Sequence, residues 1–222
     1  MTSERAEAVA TNFKLALQNA TWSDDPYKHC IIRDVLPDNV CENLASAEFP
    51  TQVLNGVSGS REAHNDSRRY FNEATMIAGG VFDDVATAFQ KEETAQAIAR
   101  SFGADIEGCL LRIEFAQDTD GFWLRPHTDL GVKKFTMLLY LSDGPDHDMM
   151  GTDIYKDEDT WSKRTPFAPN IALAFKPNDR TWHGFEKRPI IGVRKSIIIN
   201  YVTTEWRDRD QLAFADTPIR IN

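Results

Sequence analysis

The spacing of apolar residues changes at Gly103, and this change predicts a fold with helices first and short strands afterwards. Before Gly103, apolar residues recur at helical spacing in residues 3–20 and 82–102, with Ser3 as an N-cap and Gly103 as a helix stop. After Gly103, short apolar stretches alternate with turn-rich segments, which is typical of strands. The pattern indicates an α+β protein with a mainly β core, a sandwich or a barrel, and an N-terminal helical buttress.

Five stretches after Gly103 have the composition of strands. They cover residues 106–116, 134–141, 152–155, 171–176 and 194–203. Because turn-rich segments separate these strands, we expect a β core over residues 104–205.

The first half of the chain contains two further predicted elements, a strand over 27–35 and a helix from 38 to about 48. A polar segment, 51–73, follows and is interpreted as a lid-like surface loop. We therefore expect a single domain, in which residues 1–103 give helical support with this early strand and residues 206–222 form a C-terminal tail.

Charge and composition exclude several classes of protein. The 222 residues carry 25 Lys and Arg against 34 Asp and Glu, a net charge of −9, which argues against a nucleic-acid partner. The three cysteines form no C-x-x-C pair and give an odd count, so neither a disulfide framework nor a cysteine zinc site is predicted. Because no signal peptide or membrane-spanning stretch is recognisable, we expect a soluble cytoplasmic protein.

Three side chains in the second half have the chemistry of metal ligands. His127 and Asp129 form a His-x-Asp pair just ahead of an apolar strand, and His183 follows 54 residues after Asp129. In an extended stretch, alternate side chains leave by the same face, so the pair can reach one point. Two imidazoles and one carboxylate form the facial triad of non-haem Fe(II) oxygenases.

A charged residue opens the last apolar strand. Arg194 lies eleven positions after His183 and begins RKSIIINYV, with Ser196 on the same predicted face. An inward-facing guanidinium requires an anion and suits a carboxylate, which it holds with two parallel hydrogen bonds. A carboxylate-bearing ligand is therefore expected beside the metal.

The set of His127, Asp129, His183, Arg194 and Ser196 resembles the Fe(II)- and 2-oxoglutarate-dependent oxygenases, in the branch of prolyl hydroxylases and small amino-acid hydroxylases. The resemblance covers roughly residues 109–203. It implies a double-stranded β-helix (jelly roll, cupin-like), with the first three residues as catalytic metal ligands and the last two binding 2-oxoglutarate. The cosubstrates implied are 2-oxoglutarate and O₂, with succinate and CO₂ released as the substrate is hydroxylated.

The resemblance leaves the substrate open. Asp129 fills the position that is a small residue in halogenating relatives, so hydroxylation or a related oxidation such as desaturation is expected. The acidic, compact chain favours a small polar molecule, such as an amino acid or a related metabolite, and a peptidyl proline is the alternative. A cupin-like Zn or Mn isomerase or hydrolase is a rival class, but it gives Arg194 no role, and a non-catalytic module would be expected to have lost part of the triad. The oligomeric state is not predicted.

Three further residues are candidate substrate ligands. Arg112 and Glu114 alternate with apolar residues on a predicted strand, and Asn200 shares the predicted face of Arg194. If that face lines the core, Glu114 would bind a substrate ammonium and Arg112 a carboxylate. If it faces outward, both charges are simply solvated, and the sequence leaves the two interpretations open.

Overall fold

The computed structural model describes residues 3–49, 59, 68–76 and 79–221. Within that part of the chain, the α-helices are α1 (Glu4–Gln18), α2 (Asp38–Ala45), α3 (Glu73–Met76), α4 (Val81–Gln90) and α5 (Glu92–Phe102). The strands are β1 (Thr21–Ser23), β2 (His29–Arg33), β3 (Arg68–Tyr70), β4 (Leu110–Asp118), β5 (Leu124–His127), β6 (Lys133–Tyr140), β7 (Asp153–Tyr155), β8 (Trp161–Arg164), β9 (Ile171–Phe175), β10 (His183–Phe185) and β11 (Arg194–Val202). The predicted mixture of helices first and strands afterwards is confirmed.

The strands form two antiparallel sheets. The large sheet has the order β1-β2-β9-β6-β11-β4-β3, and the small sheet has the order β5-β10-β7-β8. Three strands of the large sheet, β1 to β3, precede residue 104, so the β core begins earlier than the predicted bound. β2 and β3 join the sheet by pairing with the distant strands β9 and β4, and β1 joins it by pairing with β2.

The large sheet has two chemically different faces. Alternate residues of β4 and β11, such as Ile113 and Ile199, point into the main apolar core with the helices. The residues between them include Glu114 and Asn200, which are also fully buried but lie on the opposite face. The period of two in a strand therefore gives the sheet one face that holds the helices and one that carries polar groups.

The helix boundaries predicted from capping residues are confirmed. The Ser3 Oγ accepts a hydrogen bond from the Ala6 N–H at 3.0 Å, and the Gly103 backbone is left-handed with φ of 59°, where a residue without Cβ is favoured. The expected break between the two later helices falls at Lys91. Cys30, Cys41 and Cys109 are unpaired. Among the described residues, no helix is both long and apolar enough to cross a membrane.

The end of the polar segment 51–73 and part of the predicted C-terminal tail pack onto the large sheet. The segment 51–73 contains β3 at its end, where Arg68 is 5% exposed, and most of the rest lies outside the described residues. The predicted tail, 206–222, packs onto the sheet, with Leu212 bridged to Arg112 and Ile219 1% exposed. In both cases the partner is β4. Pairing with β4 joins residues far apart in the sequence, so local composition does not reveal it.

The small sheet is held together by the buried carboxylate of Asp153, which is fully inaccessible. Its two oxygens accept from Arg164 Nε at 2.8 Å, from Arg188 Nη1 at 2.7 Å and from the Glu186 N–H at 2.8 Å. Although burial opposes the charge, these donors keep the pKa of Asp153 below its usual value. Asp153 thus fastens β7 to β8 and to the end of β10, the strand that carries His183.

We expect Asp153→Asn to lower the free energy of unfolding by about 3 kcal/mol, because two guanidinium groups lose their charged partner inside the protein. Urea denaturation monitored by circular dichroism measures the change. The exposed Asp157→Asn is the matched control and should change stability by less than about 0.5 kcal/mol. Equal effects of the two substitutions would contradict the role of Asp153.

Candidate metal centre

His127, Asp129 and His183 meet at one point between the two sheets. β5 and β10 pair antiparallel with His127 directly opposite His183, and Asp129 follows β5 by two residues. One ligand atom from each residue lies within 4.8 Å of the others. The sequence separation of 56 residues between His127 and His183 is therefore closed by a single cross-strand pair.

The two imidazoles are oriented by the backbone. Nδ1 of His127 lies 3.0 Å from the carbonyl oxygen of Arg125, and Nδ1 of His183 lies 2.9 Å from that of Thr181. Since a carbonyl only accepts, each Nδ1 carries the proton and each Nε2 keeps its lone pair. Both rings thus have the tautomer that a metal ligand needs, fixed by the same contact two residues earlier in the chain.

The Asp129 carboxylate is buried, with its side chain 4% exposed, and both of its oxygens accept hydrogen bonds. Lys133 Nζ lies 2.5 Å from Oδ1, and Thr136 Oγ1 donates to Oδ2 at 2.6 Å. Burial alone would raise the pKa of Asp129, but the charge of Lys133 and these two hydrogen bonds lower it well below its usual range. Asp129 is therefore an ionised ligand at neutral pH.

His183 is held in its neutral form. Burial lowers the pKa of His183 to about 4, and the neighbouring His127 acts in the same direction. Its side chain is also packed against the ring of Phe175, with the ring centroids 5.0 Å apart. At neutral pH, no proton competes with a metal ion for Nε2 of this residue.

Arg194 and Ser196 line the same cavity as the three clustered residues. Arg194 is 5% exposed, and its guanidinium donates to Asp118 Oδ2 at 2.6 Å and to the Met150 carbonyl at 2.8 Å. The register places Arg194 opposite Asp118 on β4. The predicted inward direction of this charged strand residue is thus observed.

Arg112, Glu114 and Asn200 lie on the polar face of the large sheet and are completely buried, so they are not solvated. Arg112 Nη1 donates to Asn200 Oδ1 at 3.2 Å, and Nη2 to Glu114 Oε2 at 2.6 Å. Its Nε donates to Gln211 at 2.9 Å, within the segment predicted to be a tail. All three guanidinium nitrogens are therefore engaged by protein groups.

The polar groups of this face form a continuous chain. Asn200 Nδ2 donates to Thr136 Oγ1 at 2.9 Å, which connects the Arg112 group to Asp129. At the other end, Arg68 pairs with Glu114 at 3.2 Å and with Asp118 at 2.7 Å, which connects it to Arg194. We call this series, from Asp129 to Arg194, the polar chain.

The sequence analysis did not single out Asp118, Lys133 and Thr136 of this site, and it placed Arg68 only in the polar segment 51–73. For Lys133 a signal existed, because it is a charged residue that opens an apolar strand, the same reasoning that singled out Arg194. For Thr136 the signal was its position on β6, where its side chain lies on the strand face that points toward the candidate metal site. Arg68 had none, because its strand exists only through pairing with β4.

The comparisons with known proteins concern the fold. No family model matches the sequence, and no curated protein matches it. Among solved structures, the chain superposes on a prolyl-4-hydroxylase of Pseudomonas putida with a TM-score of 0.56 and 17% identity, over 87% of this chain and 99% of that one. A prolyl 4-hydroxylase from Phytophthora capsici gives a TM-score of 0.60 and 14% identity, over 93% and 68% of the two chains.

A third match is HygX from Streptomyces hygroscopicus, whose structure has nickel and 2-oxoglutarate bound. Its TM-score is 0.51 at 16% identity, over 81% of this chain and 84% of that one. The chain therefore shares its fold with these proteins.

We expect Thr136→Val to weaken divalent metal binding by about tenfold, because residues that orient a metal ligand typically contribute that much or more. The substitution keeps the shape and removes only the hydroxyl that donates to Asp129. Isothermal titration with Fe(II) under anaerobic conditions, or with Co(II), measures the affinity.

The matched control for that substitution is Thr94→Val in α5. Thr94 is also fully buried, and its hydroxyl has no hydrogen-bond partner within the described part of the chain. We expect its metal affinity to equal that of the parent protein. An unchanged affinity in Thr136→Val would mean that the hydroxyl does not orient Asp129.

The metal-free protein should take up a proton at His183 on unfolding between pH 6.5 and about 4, because the unfolded histidine titrates near 6.5 and the folded one near 4. Its stability therefore falls as the pH decreases through this window. The free energy of unfolding, measured in urea at several pH values, should fall less steeply for His183→Gln. Parallel curves for the two proteins would contradict the assignment.

Proposed function

We propose that the protein is an Fe(II)- and 2-oxoglutarate-dependent dioxygenase that hydroxylates an unactivated C–H bond of a small polar substrate. One observation carries the proposal: two imidazoles and a carboxylate converge within 4.8 Å in a cavity that also contains a buried guanidinium, Arg194. A facial triad leaves coordination positions open, and the guanidinium suits a carboxylate beside it. The fold shared with prolyl hydroxylases and HygX supports the same conclusion.

The two sheets are proposed to be the halves of a double-stranded β-helix. They are antiparallel, and the cavity between them is lined by β4, β6 and β11 of the large sheet and by β5 and β10 of the small one. In this arrangement, the metal ligands come from the small sheet and its loop, and the cosubstrate residues come from β11.

The donor set fits Fe(II). Neutral imidazole nitrogen and carboxylate oxygen are ligands that suit this ion, and no sulfur ligand is involved. Nδ1 of both His127 and His183 contacts a backbone carbonyl and leaves Nε2 available, His183 is neutral at neutral pH, and Asp129 is ionised. We therefore assign the metal to His127, Asp129 and His183.

The buried charges beside Arg194 support an anionic ligand there. The described part of the polar face holds three guanidinium groups, Arg68, Arg112 and Arg194, but only two carboxylates, Glu114 and Asp118. An uncompensated buried charge is costly, so one further anion is expected. We assign it to the distal carboxylate of 2-oxoglutarate, held by Arg194 with Ser196 on the same face.

When bound, the ferrous ion and 2-oxoglutarate activate O₂ and oxidise a C–H bond, with release of succinate and CO₂. The chain supplies position and shielding. Arg194 fixes the far end of the cosubstrate, while Phe122, Leu138 and Phe185 line the cavity and exclude water. Because Asp129 completes the triad, the proposed outcome is hydroxylation or a related oxidation, and not halogenation.

Arg112, Glu114 and Asn200 are proposed to form one wall of the substrate side. Because Arg112 and Glu114 bind each other, they act as a rigid unit and not as two separate ligands. The rings of Tyr70 and Trp206 enclose the Arg112 guanidinium, each with its centroid 4.9 Å away. Because the three residues are fully buried and do not line the cavity, they would act on a substrate amino acid or related metabolite only by supporting the residues in front of them.

Hydroxylation of a peptidyl proline is the second candidate. It is favoured by the structural matches with prolyl hydroxylases, one of which, from Trichoplax adhaerens, is in complex with a hypoxia inducible factor peptide fragment at a TM-score of 0.55. A cupin-like Zn or Mn enzyme is less well supported, because it gives Arg194 and Ser196 no role.

Anaerobic titration of the Fe(II)-loaded protein with 2-oxoglutarate tests the proposal. A visible charge-transfer band is expected, because the keto acid chelates the ferrous ion in this class of enzyme. His183→Ala should lose the band, and Asp129→Ala should lose both the band and turnover. Tight metal binding without a band in the parent protein would overturn the proposal.

We expect Arg194→Ala to raise the 2-oxoglutarate concentration needed for half of the band by about tenfold to a hundredfold, as the loss of charged hydrogen bonds predicts. Metal affinity should stay close to that of the parent protein. The exposed Arg220→Ala is the matched control and should titrate as the parent does. An unchanged requirement in Arg194→Ala would show that another cation holds the cosubstrate.

A further inference from the structure

Arg68 is a second arginine in the cavity that contains Arg194. Its side chain is 4% exposed, and it lines this cavity together with the three proposed metal ligands. Arg68 Nη1 donates to Asp118 Oδ1 at 2.7 Å, and Arg194 Nη1 donates to the other oxygen of the same carboxylate at 2.6 Å. The proposed function assigns a ligand to Arg194 but none to Arg68.

The guanidinium of Arg68 keeps one nitrogen without a partner. Nη1 binds Asp118, and Nε lies 3.2 Å from Glu114 Oε1. Nη2 makes no hydrogen bond or ion pair with any residue in the described part of the chain. Because Nη2 carries two N–H groups, and donors left unpaired in a nearly buried side chain are destabilising, we expect a ligand to supply the acceptor.

The contacts of Arg68 locate its guanidinium beside the floor of the cavity. Asp118 and Glu114 stand four positions apart on β4, with Ala116 between them on the same face. Since Arg68 contacts both carboxylates, its guanidinium spans the position of Ala116. Ala116 is paired with Ser196 of β11, and both of these residues line the cavity.

This position lies between the proposed cosubstrate residue and the proposed metal. Arg194 begins β11, and Ser196 follows it by two residues. Further along, β11 pairs with Thr136 of β6, whose hydroxyl donates to Asp129. The guanidinium of Arg68, at the level of Ser196, therefore borders the path from Arg194 to the metal ligands.

The guanidinium of Arg68 is held in place before a ligand binds. Two carboxylates of β4 engage Nη1 and Nε, and the ring centroid of Phe122 lies 5.5 Å from the guanidinium carbon. Phe122 lines the same cavity from the segment that precedes β5. A group fixed in this way loses little freedom on binding, so its remaining donors suit a specific ligand.

A carboxylate is the ligand that suits the open side of this guanidinium, because planar N–H donors match carboxylate oxygens. The two carboxylates of 2-oxoglutarate are at its ends. In the proposed function, one end lies at Arg194 and the other chelates the metal, whereas Arg68 borders the stretch between them. A carboxylate at Arg68 therefore belongs to a second molecule, and the substrate is the molecule that has to enter beside the cosubstrate in order to react.

We propose that Arg68 binds a carboxylate of the substrate through Nη2, so the substrate is a small carboxylic acid such as a free amino acid. The proposal rests on the proposed function and narrows it. It makes Arg68 a specificity residue. It also separates a free acid from a proline inside a peptide, whose carboxyl group is part of an amide bond.

Two simpler roles compete with this proposal. In the first, Arg68 only holds β3 against β4, and the substrate is indifferent to its charge. In the second, Arg68 binds 2-oxoglutarate together with Arg194. The first predicts that an acid and its amide bind equally well, and the second predicts that replacing Arg68 changes the 2-oxoglutarate titration.

The first arm of the test uses the parent protein loaded with Fe(II) and saturating 2-oxoglutarate without O₂. Each proteinogenic L-amino acid and each simple aliphatic mono- or dicarboxylic acid is added beside its amide, and a proline peptide blocked at both ends is included. We expect at least one acid to perturb the charge-transfer band, with its amide binding about tenfold to a hundredfold more weakly. A loss of the band that excess 2-oxoglutarate reverses is competition and is not counted. Succinate release in air should follow the same preference.

The second arm replaces the arginine. Arg68→Gln removes the charge but keeps an amide that can donate to Asp118, and Arg68→Lys keeps the charge but removes Nη2. We expect both variants to keep the band and its 2-oxoglutarate requirement. Arg68→Gln should bind the acid about tenfold or more weakly, with the affinity for the amide unchanged, and Arg68→Lys should fall between Arg68→Gln and the parent protein.

The matched control is Arg69→Gln. Arg69 is the adjacent arginine of β3, and its side chain leaves by the opposite face of the strand. We expect this variant to bind the acid as the parent protein does. Urea denaturation checks that each variant folds, and Arg68→Lys decides the question if Arg68→Gln does not fold, because it retains a positive charge beside Asp118.

The failures are distinguishable. If the parent protein gives no band, the proposed function fails and this proposal with it. If the band forms but an acid and its amide bind equally, or the blocked peptide alone binds, or no compound perturbs the band, only the Arg68 proposal is overturned. It is overturned as well if every folded Arg68 variant binds the acid as tightly as the parent protein, or if Arg68→Gln raises the 2-oxoglutarate requirement, because the arginine then belongs to the cosubstrate.

Discussion

The register between β4 and β11 is the constraint on which the site depends. It places Arg194 opposite Asp118 and Asn200 opposite Arg112, so that each charged or polar group on one strand meets a partner on the next. Buried charges of one sign side by side would destabilise this face by several kcal/mol. If the pairing of β4 with β11 shifted by one residue, these groups would point into the apolar core beneath the helices. The polar face therefore also fixes the register.

The side chains of β11 point alternately to the two faces of the large sheet, and this alternation connects the stability of the fold to the candidate site. On one face, Ile197 and Ile199 pack with the helices and exclude water. On the other, Ser196 and Asn200 belong to the cavity and the polar chain. Because both sets belong to one continuous strand, the helical layer rigidly positions the groups that would bind ligands, and little backbone adjustment remains when a ligand arrives.

Much of the site could be predicted from the sequence, because its chemistry is local. His127 and Asp129 stand two residues apart, and Arg194 is a charge within an apolar strand, so short patterns reveal them. The residues that bind these side chains lie far from them in the sequence. Arg68 reaches Asp118 across 50 residues, and Asn200 reaches Thr136 across 64, and neither pairing leaves a local signal. The bridge between Leu212 and Arg112 also joins residues far apart in the sequence and leaves no local signal.

The metal centre is preorganised by its protonation states. His183 stays neutral because burial opposes its charge, while the equally enclosed Asp129 stays ionised because Lys133 and Thr136 donate to it. A divalent ion therefore does not have to displace a proton from either ligand at neutral pH, which removes one cost of binding. What the ion must overcome is the repulsion from Lys133. Because Lys133 already holds the carboxylate of Asp129, the proposed ion would bind there most favourably together with an additional anion, which would couple metal binding to the binding of an anionic ligand.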